Sequence, residues 1–301
     1  MQMNFGPGEW CSLACALFWA WATISFRIAG EKLSPFHLNL FKNLSLFILM
    51  IPTAWLAERW SWDAIPQEDQ WYLLLSGFIG ICIADLLYFA ALNRLGAGLN
   101  SILACLYSPL VILFSFLMLG ERLNGAQAIG AGVIIAGTVL ASSTGMKNER
   151  PKELGIGLIL GIASMITMAL GIVIAIPRLH SDTLFWAIEF RLLGGIGLAV
   201  LILFLPGKGR EFLNAFKQKD LPWNTLLSGT LIAAFVALIV WMKGFQLMAE
   251  KEAASLAAVL NQTSTFFTLG LAALFLKERL TASKLAGAAL AFGGVWWIAT
   301  H

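Results

Sequence analysis

The 301-residue sequence predicts an all-α membrane protein in which ten transmembrane helices form two inverted five-helix repeats. Hydrophobic residues make up 59% of the chain and charged residues only 12%, whereas soluble domains carry roughly 25% charged residues. A Leu-x-Glu-Arg-Leu segment closes an apolar run at residues 119–123 and recurs, 157 residues later, at residues 276–280. The composition indicates a membrane protein, and the recurring segment indicates a duplicated helical unit.

Ten apolar segments reach or approach the ~20 residues that a helix needs to cross about 30 Å of hydrocarbon. The connections between them are short, and none has the composition of a separate soluble domain. Residues 1–10 contain no Lys or Arg, so the first segment is expected to remain as a helix and not to be cleaved as a signal peptide. The segments are residues 10–29, 36–57, 71–92, 98–119, 126–143, 154–176, 184–205, 223–248, 254–275 and 282–300.

In the first half, residues 8–143, the second and third segments each contain a charged residue. At 1.5 Å per residue, Lys42 lies about 9 Å and Asp85 about 12 Å from the same membrane face. An intramembrane charge costs about 2.5–3.5 kcal/mol, so each residue should face protein or water and find a partner. The two residues predict either a substrate or proton site or a structural ion pair.

The other unusual residues of the first half are aromatic or helix-breaking. Trp19 lies too deep in the first segment to anchor at the interface, which leaves cavity lining or packing against lipid and helices. Tyr88 in the third segment and Tyr107 in the fourth are candidates for lining a cavity. Pro109 lacks an amide donor and should kink the fourth segment.

The second half, residues 154–300, places its charged residues near the opposite face. Phe190-Arg191-Leu192-Leu193 in the seventh segment matches Phe41-Lys42-Asn43-Leu44 in the second. Glu189 and Arg191 are about 200° apart around a helix, so they cannot share one face. We expect Arg191 to point inward, with ion pairing or substrate contact as its alternative roles. We expect Glu189 to pair with Lys243 of the eighth segment or with a neighbouring helix.

Polar residues also occur in the ninth segment and at the ends of the fourth and ninth. Asn261 and Gln262 lie at mid-depth, where an amide is costly unless it is hydrogen-bonded, so they predict either cavity lining or helix packing. Glu121 and Glu278, from the two Leu-x-Glu-Arg-Leu segments, each precede an Arg. We expect a helix-end ion pair at both places.

The fifth and tenth segments are rich in glycine. A gap-free shift of 157 residues pairs Gly130 with Gly287 and Gly137 with Gly294. Small residues let helix backbones approach closely in membranes. We therefore expect these glycines to pack helices within the chain, with a homodimer interface as the alternative.

Positive charge is unevenly distributed between the two membrane faces. Of the seventeen Lys and Arg residues in loops or at helix ends, thirteen fall on the face where the first segment ends, and four on the other. The positive-inside rule places this basic face in the cytoplasm and both termini outside. Residues 209–219 on that face could form a short basic helix on the membrane surface. Because each half has five spans, the halves enter the membrane in opposite orientations, which is the inverted-repeat design of alternating-access carriers.

These features resemble the drug/metabolite transporter (DMT) superfamily, and within it the proteins with two EamA-type domains, over nearly the whole chain. The matching residues are Lys42 and Arg191 in the second helix of each half, Glu121 and Glu278 after the fourth, and the run Tyr88-Phe89-Ala90-Ala91-Leu92. The resemblance implies a ten-helix fold with a central cavity, and transport of small metabolites across the bacterial cytoplasmic membrane. Family members commonly have cytoplasmic termini and Arg in place of Lys42, and this chain departs from both.

The expected function is a secondary transporter that exports a small organic metabolite. No Walker motif is present, so an ion gradient or the solute's own gradient would drive transport. Three cations against two anions inside the spans favour an anionic or zwitterionic solute, such as an amino acid. The expected partners are this solute and the lipid bilayer, and no nucleic acid. The protein is expected to be a monomer or a homodimer.

Two other classes of protein are alternatives to this interpretation. An intramembrane enzyme needs a catalytic set at depth, but His37, His180 and His301 lie at span edges or at the terminus. The four Cys residues have no ligand spacing, so no metal or cofactor is expected. A non-transporting scaffold or a passive channel is the remaining alternative, and a saturable, counter-ion-dependent flux would distinguish a carrier from it.

Overall fold

The computed structural model describes residues 6–59, 63, 65–120, 125–143, 151–180, 182–249 and 260–300, and the regular structure within these residues is entirely helical. The predicted all-α fold is confirmed. The α-helices are α1 Pro7–Ala29, α2 Pro35–Glu58, α3 Gln67–Gly77, α4 Ala84–Ala104, α5 Tyr107–Leu119, α6 Gly125–Ser143, α7 Pro151–Ala175, α8 Leu184–Leu203, α9 Lys208–Ala215, α10 Trp223–Leu227, α11 Phe235–Ala249, α12 Ser264–Phe275 and α13 Ala282–Thr300.

Six helical stretches of the described residues are long and apolar enough to cross a membrane on their own, and three shorter apolar helices accompany them. The longest stretch, Gln67–Ala104, contains parts of two crossings because Gly96 has φ +77° and ψ 170°, which interrupts α4. The third crossing therefore ends near Leu95, and the fourth runs from Ala97 to the end of α5. With the ninth crossing described from Leu260 onward, these elements account for the ten predicted crossings.

The fourth crossing is broken at Cys105 and Leu106, between α4 and α5. Pro109 has no N–H to donate to the carbonyl of Cys105, four residues earlier, so the break falls where the helix would lack a hydrogen bond in any case. The kink predicted from Pro109 is thus confirmed. A matching break occurs in the ninth crossing at Thr263, 157 residues after Leu106, although no proline follows there.

A π-helical turn interrupts the third crossing at Phe78–Ile83, and another interrupts the eighth at Ser228–Ala234. Such turns are rare and frequently lie at functional sites. The first packs against α7 and α8, and the second against α1 and α2. Each half therefore inserts its π turn between helices of the other half.

The two halves also interleave along their lengths: α4 lies along α7, α1 along α11, α2 against α8 and α6 against α13. In the last pair, a Cβ added to Gly130 would lie 2.8 Å from the carbonyl oxygen of Gly294, and one added to Gly137 would lie 2.6 Å from that of Gly287. Gly287 is the repeat mate of Gly130, and Gly294 is the repeat mate of Gly137, each 157 residues later. The contact of Gly130 with Gly294 and that of Gly137 with Gly287 are therefore equivalent, as a two-fold axis between the halves requires. The glycines pack helices within the chain, as expected from the sequence.

Candidate functional site

Lys42 and Asp85 form an ion pair inside the helix bundle. Lys42 Nζ donates to Asp85 Oδ2 at 2.6 Å, and the two residues are 7% and 8% exposed. Asn43 Nδ2 donates to the same carboxylate oxygen at 3.1 Å, and it also donates to Asn39. Asn39 in turn donates to Cys82 O at 2.9 Å, which ties α2 to the first π turn. The sequence placed Lys42 and Asp85 at a similar depth, and in the structure they form an ion pair in which each charge neutralises the other.

Tyr88 lies one helical turn from Asp85, beside α1. Its hydroxyl oxygen lies 3.2 Å from Thr23 Oγ1, and its ring packs edge-on against Phe89. Lys42 Nζ lies 5.5 Å from the centre of the Phe89 ring, within the range of a cation–π contact. Tyr88 therefore belongs to the surroundings of the Lys42–Asp85 pair.

Arg191, the repeat mate of Lys42, has a different environment. Its Nε donates to Ser76 Oγ at 3.0 Å, and Ser76 donates to Gly171 O at 2.7 Å. Tyr107, at the start of α5, lies close enough to interact electrostatically with the guanidinium. Among the residues that the structure describes, no carboxylate forms an ion pair with Arg191, whereas Asp85 pairs with Lys42. The two repeated cations therefore differ: Lys42 is paired with a carboxylate, and Arg191 is not paired with one in the described ranges.

Glu189, on the same helix as Arg191, is almost fully buried. The residue is 1% exposed, and neither carboxylate oxygen has a hydrogen-bond partner among the residues that the structure describes. The predicted pairing of Glu189 is therefore wrong. Lys243, the predicted partner on the eighth crossing, is exposed. This exposure also corrects the expectation of three enclosed cations.

The polar residues of the ninth crossing pack against the fourth and first. Gln262 Nε2 donates to Ser108 Oγ at 3.3 Å, and Cys105 Sγ lies 3.5 Å from Thr265 Oγ1. Gln262 is the repeat mate of Cys105, and Thr265 is the repeat mate of Ser108, so the two contacts are equivalent by the repeat. The broken fourth and ninth crossings therefore meet at the two-fold axis. Asn261, with its amide oriented to satisfy both neighbours, donates to Ser12 O at 3.0 Å and accepts from Trp241 Nε1 at 3.3 Å.

Trp19 is 36% exposed on α1. Its backbone carbonyl accepts a hydrogen bond from Thr23 Oγ1 at 3.0 Å, one turn further along the helix. This exposure does not distinguish cavity lining from packing against lipid, because the ring would be uncovered by protein in both cases. Its role stays a prediction.

Glu278 caps a helix of the other half. Its two carboxylate oxygens accept hydrogen bonds from Ala97 N at 2.7 Å and Gly98 N at 3.0 Å, and Lys284 Nζ lies 3.8 Å away. The left-handed conformation of Gly96 turns the chain so that these two N–H groups begin the fourth crossing. Free N–H groups at a helix start attract a carboxylate.

This cap takes the place of the ion pair with Arg279 that the sequence suggested: among the described residues Glu278 pairs with Lys284 and not with Arg279, which is exposed. The signal that sequence reasoning missed is Gly-Ala-Gly at residues 96–98, which can open its backbone to an anion. Glu121, the repeat mate of Glu278, lies outside the described residues.

Glu58 caps α8 at the opposite face, and no pattern in the sequence singled it out. Its oxygens accept hydrogen bonds from Phe185 N at 2.8 Å and Trp186 N at 3.3 Å, and Trp186 Nε1 donates to Arg59 O at 2.9 Å. The seventh crossing, which carries Glu189 and Arg191, is therefore anchored at its start by the end of α2.

The predicted short basic helix on the basic face is α9, an amphipathic element between the seventh and eighth crossings. Phe216, just after it, stacks on Phe41 of α2 with ring centres 5.2 Å apart. In the following turn, Asp220 pairs with Lys32 across the two halves. The Lys32 ammonium, mainly through its hydrogen bond, lowers the pKa of the Asp220 carboxyl below its usual value.

A groove of about 420 Å³ opens between α5, α6 and α7, and its lining is entirely apolar. None of the candidate polar residues contributes to it, and lining residues such as Ile135 and Ile162 are exposed on the outside of the bundle. It therefore suits hydrocarbon and not a polar solute. Its lining consists of Leu106, Pro109, Leu110, Ile112, Leu113, Ala128, Ala131, Ile135 and Ile162.

The described geometry is a duplicated, interleaved helix bundle with charged groups inside it. The sequence model of the EamA-like transporter family matches the chain twice, over residues 6–143 and 155–300. The chain belongs to this family. The resemblance inferred from the repeated motifs is thus confirmed, and the protein is a multi-pass membrane transporter by family.

Individual relatives agree with this assignment. The chain is 28% identical to the uncharacterized transporter YvbV of Bacillus subtilis over 73% of its own length and 69% of the relative. It is 25% identical to an uncharacterized transporter of Archaeoglobus fulgidus over 46% of the chain and 49% of the relative. A crystal structure with 18% identity and a TM-score of 0.65 covers 96% of this chain and 94% of its own, so the fold is shared.

Proposed function

We propose that this EamA-like transporter is a secondary carrier that exports a small organic solute bearing a carboxylate, such as an amino acid, across the bacterial cytoplasmic membrane by alternating access. The observation that carries this proposal is the guanidinium of Arg191, which lies in the bundle without an ion-pair partner among the described residues. Arginine stays charged in proteins, and an uncompensated charge in a low-dielectric site is costly. A carboxylate on the solute would supply the missing counter-charge.

The neighbours of Arg191 support this role. Ser76 engages Nε through its hydroxyl oxygen, which leaves the two Nη groups of the fork for a carboxylate. Tyr107 places a phenol nearby, at the break in the fourth crossing. These groups come from three different crossings, so relative movement of the crossings would assemble or open the site.

The repeat supports alternating access. Inverted halves place equivalent elements toward opposite membrane faces, and exchanging their conformations moves a site from one face to the other. The contacts of Gln262 with Ser108 and of Cys105 with Thr265 lie at the two-fold axis, where such an exchange would pivot. Lys42 occupies the position in the first half that Arg191 occupies in the second. There Asp85 already supplies the counter-charge, so this position would not bind the carboxylate of the solute.

Counterflow in liposomes containing the purified protein tests this proposal. Radiolabelled amino acids, mono- and dicarboxylates and organic cations are compared as substrates, and a carboxylate-bearing solute is expected to be exchanged with saturation. Arg191→Met should lower that exchange at least tenfold, and Arg191→Lys should retain part of it. The matched control is Arg210→Met, which removes an exposed cation of α9.

Normal exchange by Arg191→Met would refute the role of Arg191. A flux that rises linearly with solute concentration would support a passive channel, and no flux of any solute would favour a non-transporting scaffold.

A further inference from the structure

The carboxyl group of Glu189 is a buried acid that the proposed solute site does not use. It lies five residues into α8, about 7.5 Å along the helix at 1.5 Å per residue. The residue is 1% exposed, and within the described part of the chain both oxygens lack hydrogen-bond partners. Paired or capping carboxylates elsewhere in the chain, such as Asp85 and Glu278, accept two or more hydrogen bonds.

No charged group on the packed elements supplies the missing partner. α8 packs against α2, α3, the π turn and α9. In the described part of the chain, none of their ionisable groups forms an ion pair or hydrogen bond with Glu189. On α8 itself, Arg191 points to another side of the helix and binds Ser76. The groups on the packed elements are His37, Lys42 and Glu58 on α2, Glu68, Asp69 and Tyr72 on α3, Cys82 in the π turn, and Lys208, Arg210 and Glu211 on α9.

The fold itself does not require an acid at this position. The shift of 149 residues that pairs Lys42 with Arg191 pairs Glu189 with Leu40, which is also 1% exposed. A hydrocarbon side chain therefore occupies the equivalent buried place in the first half. Burying an isolated carboxylate is far more costly than burying leucine, so a structural role does not explain Glu189.

We propose that Glu189 is a proton-binding site of the transport cycle and that its protonation is linked to occupation of Arg191 by the carboxylate of the solute. A proton fits the site because it needs one oxygen, whereas metal cations of the calcium or magnesium type need several oxygen ligands. The described residues contain no group of three His, Cys, Asp or Glu side chains that could hold a metal.

The linkage to Arg191, which rests on the proposed function, follows from their separation along α8. Glu189 and Arg191 are two residues apart, so their Cα atoms are about 5 Å from each other while their side chains leave different sides of the helix, and their charges act on each other through the helix and not by contact. Ionised Glu189 would partly offset the guanidinium charge, and protonated Glu189 leaves that charge for the solute. Coupling is reciprocal, so the solute also favours protonation, and export of the solute down its own gradient would carry the proton out with it. A proton enters only when the halves open, because the carboxyl group is closed to solvent in this conformation.

Infrared spectroscopy of the reconstituted protein tests proton binding without any solute. A neutral carboxyl group has a C=O stretch that is separate from carboxylate bands and shifts in D₂O. Wild type at neutral pH should show this band. Glu189→Gln should remove it, and the control Glu278→Gln should keep it, because Glu278 accepts two backbone hydrogen bonds and lies 3.8 Å from Lys284 Nζ. Glu189→Leu, which copies the residue type of Leu40, provides a second variant for the same measurement.

The infrared C=O band tests whether Glu189 is the site that binds the proton. Absence of the band in wild type, its survival in Glu189→Gln and Glu189→Leu, or its loss in Glu278→Gln would each overturn the assignment. Both Glu189 variants should be at least as thermally stable as wild type, because each removes an unpartnered buried acid.

The pH dependence of solute affinity tests the linkage. One linked proton makes the affinity rise by up to about tenfold for each unit by which the pH falls, over the range in which Glu189 titrates. In Glu189→Gln the affinity should become independent of pH while counterflow continues. If the pH dependence persists in that variant, the linkage is refuted and the carrier proposal stands. If Arg191→Met exchanges solute normally while the band belongs to Glu189, the solute site is refuted and the proton site stands.

Discussion

Removing the carboxylate of Glu278 should weaken the junction between the two halves at the basic face. The side chain is 17% exposed and accepts two backbone hydrogen bonds at the start of the fourth crossing. Loss of a helix N-cap costs about 0.5–2 kcal/mol, and bonds to a charged acceptor lie toward the upper end. We therefore expect Glu278→Ala to destabilise the protein by about 1–2 kcal/mol, and Glu278→Gln by less, because it keeps an acceptor oxygen.

The three buried cysteines, Cys15, Cys82 and Cys105, provide the assay. A dye that fluoresces on reaction with thiols reports their exposure as the protein in detergent is heated. Glu278→Ala should lower the Tm by a few degrees. Lys284→Met removes only the 3.8 Å ion pair and should change the Tm little.

Arg279→Met is the second control, since that side chain is exposed. The capping argument would be refuted if Glu278→Ala were no less stable than Arg279→Met, because the carboxylate would then contribute no more than a surface charge. Unchanged Tm with altered transport would likewise assign Glu278 to the cycle and not to the stability of the fold.

Three further predictions follow from the packing and the charges. Breaking the Lys42–Asp85 pair from one side leaves a buried unpaired charge, at a cost of about 3–5 kcal/mol, so Lys42→Met with Asp85→Leu should reach a higher expression level than either single variant; equal expression of all three would contradict a structural role. Gly137→Leu should destabilise the protein by about 1–3 kcal/mol through overpacking, whereas Gly132→Leu, where a Cβ meets open space, should not; similar Tm values would argue against the helix contact. An impermeant reagent should label a tag at the C-terminus from outside and leave the linker between the halves unlabelled; labelling of the linker instead would reverse the proposed orientation.

Several features of this protein were readable from its sequence because they depend on local composition. The length of each apolar run gives the crossings, since a fixed bilayer thickness requires a fixed number of helical residues. The recurrence of Leu-x-Glu-Arg-Leu gives the duplication, and an odd number of spans per half gives the inversion. Pro109 gives the break in the fourth crossing through its missing amide donor.

The partners of the buried charges were decided only by the tertiary structure. Lys42 and Asp85 meet as their depth suggested, but depth alone did not reveal that Arg191 and Glu189 lack such partners among the described residues. Glu278 was expected to pair with its neighbour and instead caps the fourth crossing, which begins at Ala97, 181 residues earlier in the chain. Sequence specifies how far along a helix each group lies. Which groups meet depends on how the two halves rotate and interleave, and that arrangement is set by many contacts between distant residues.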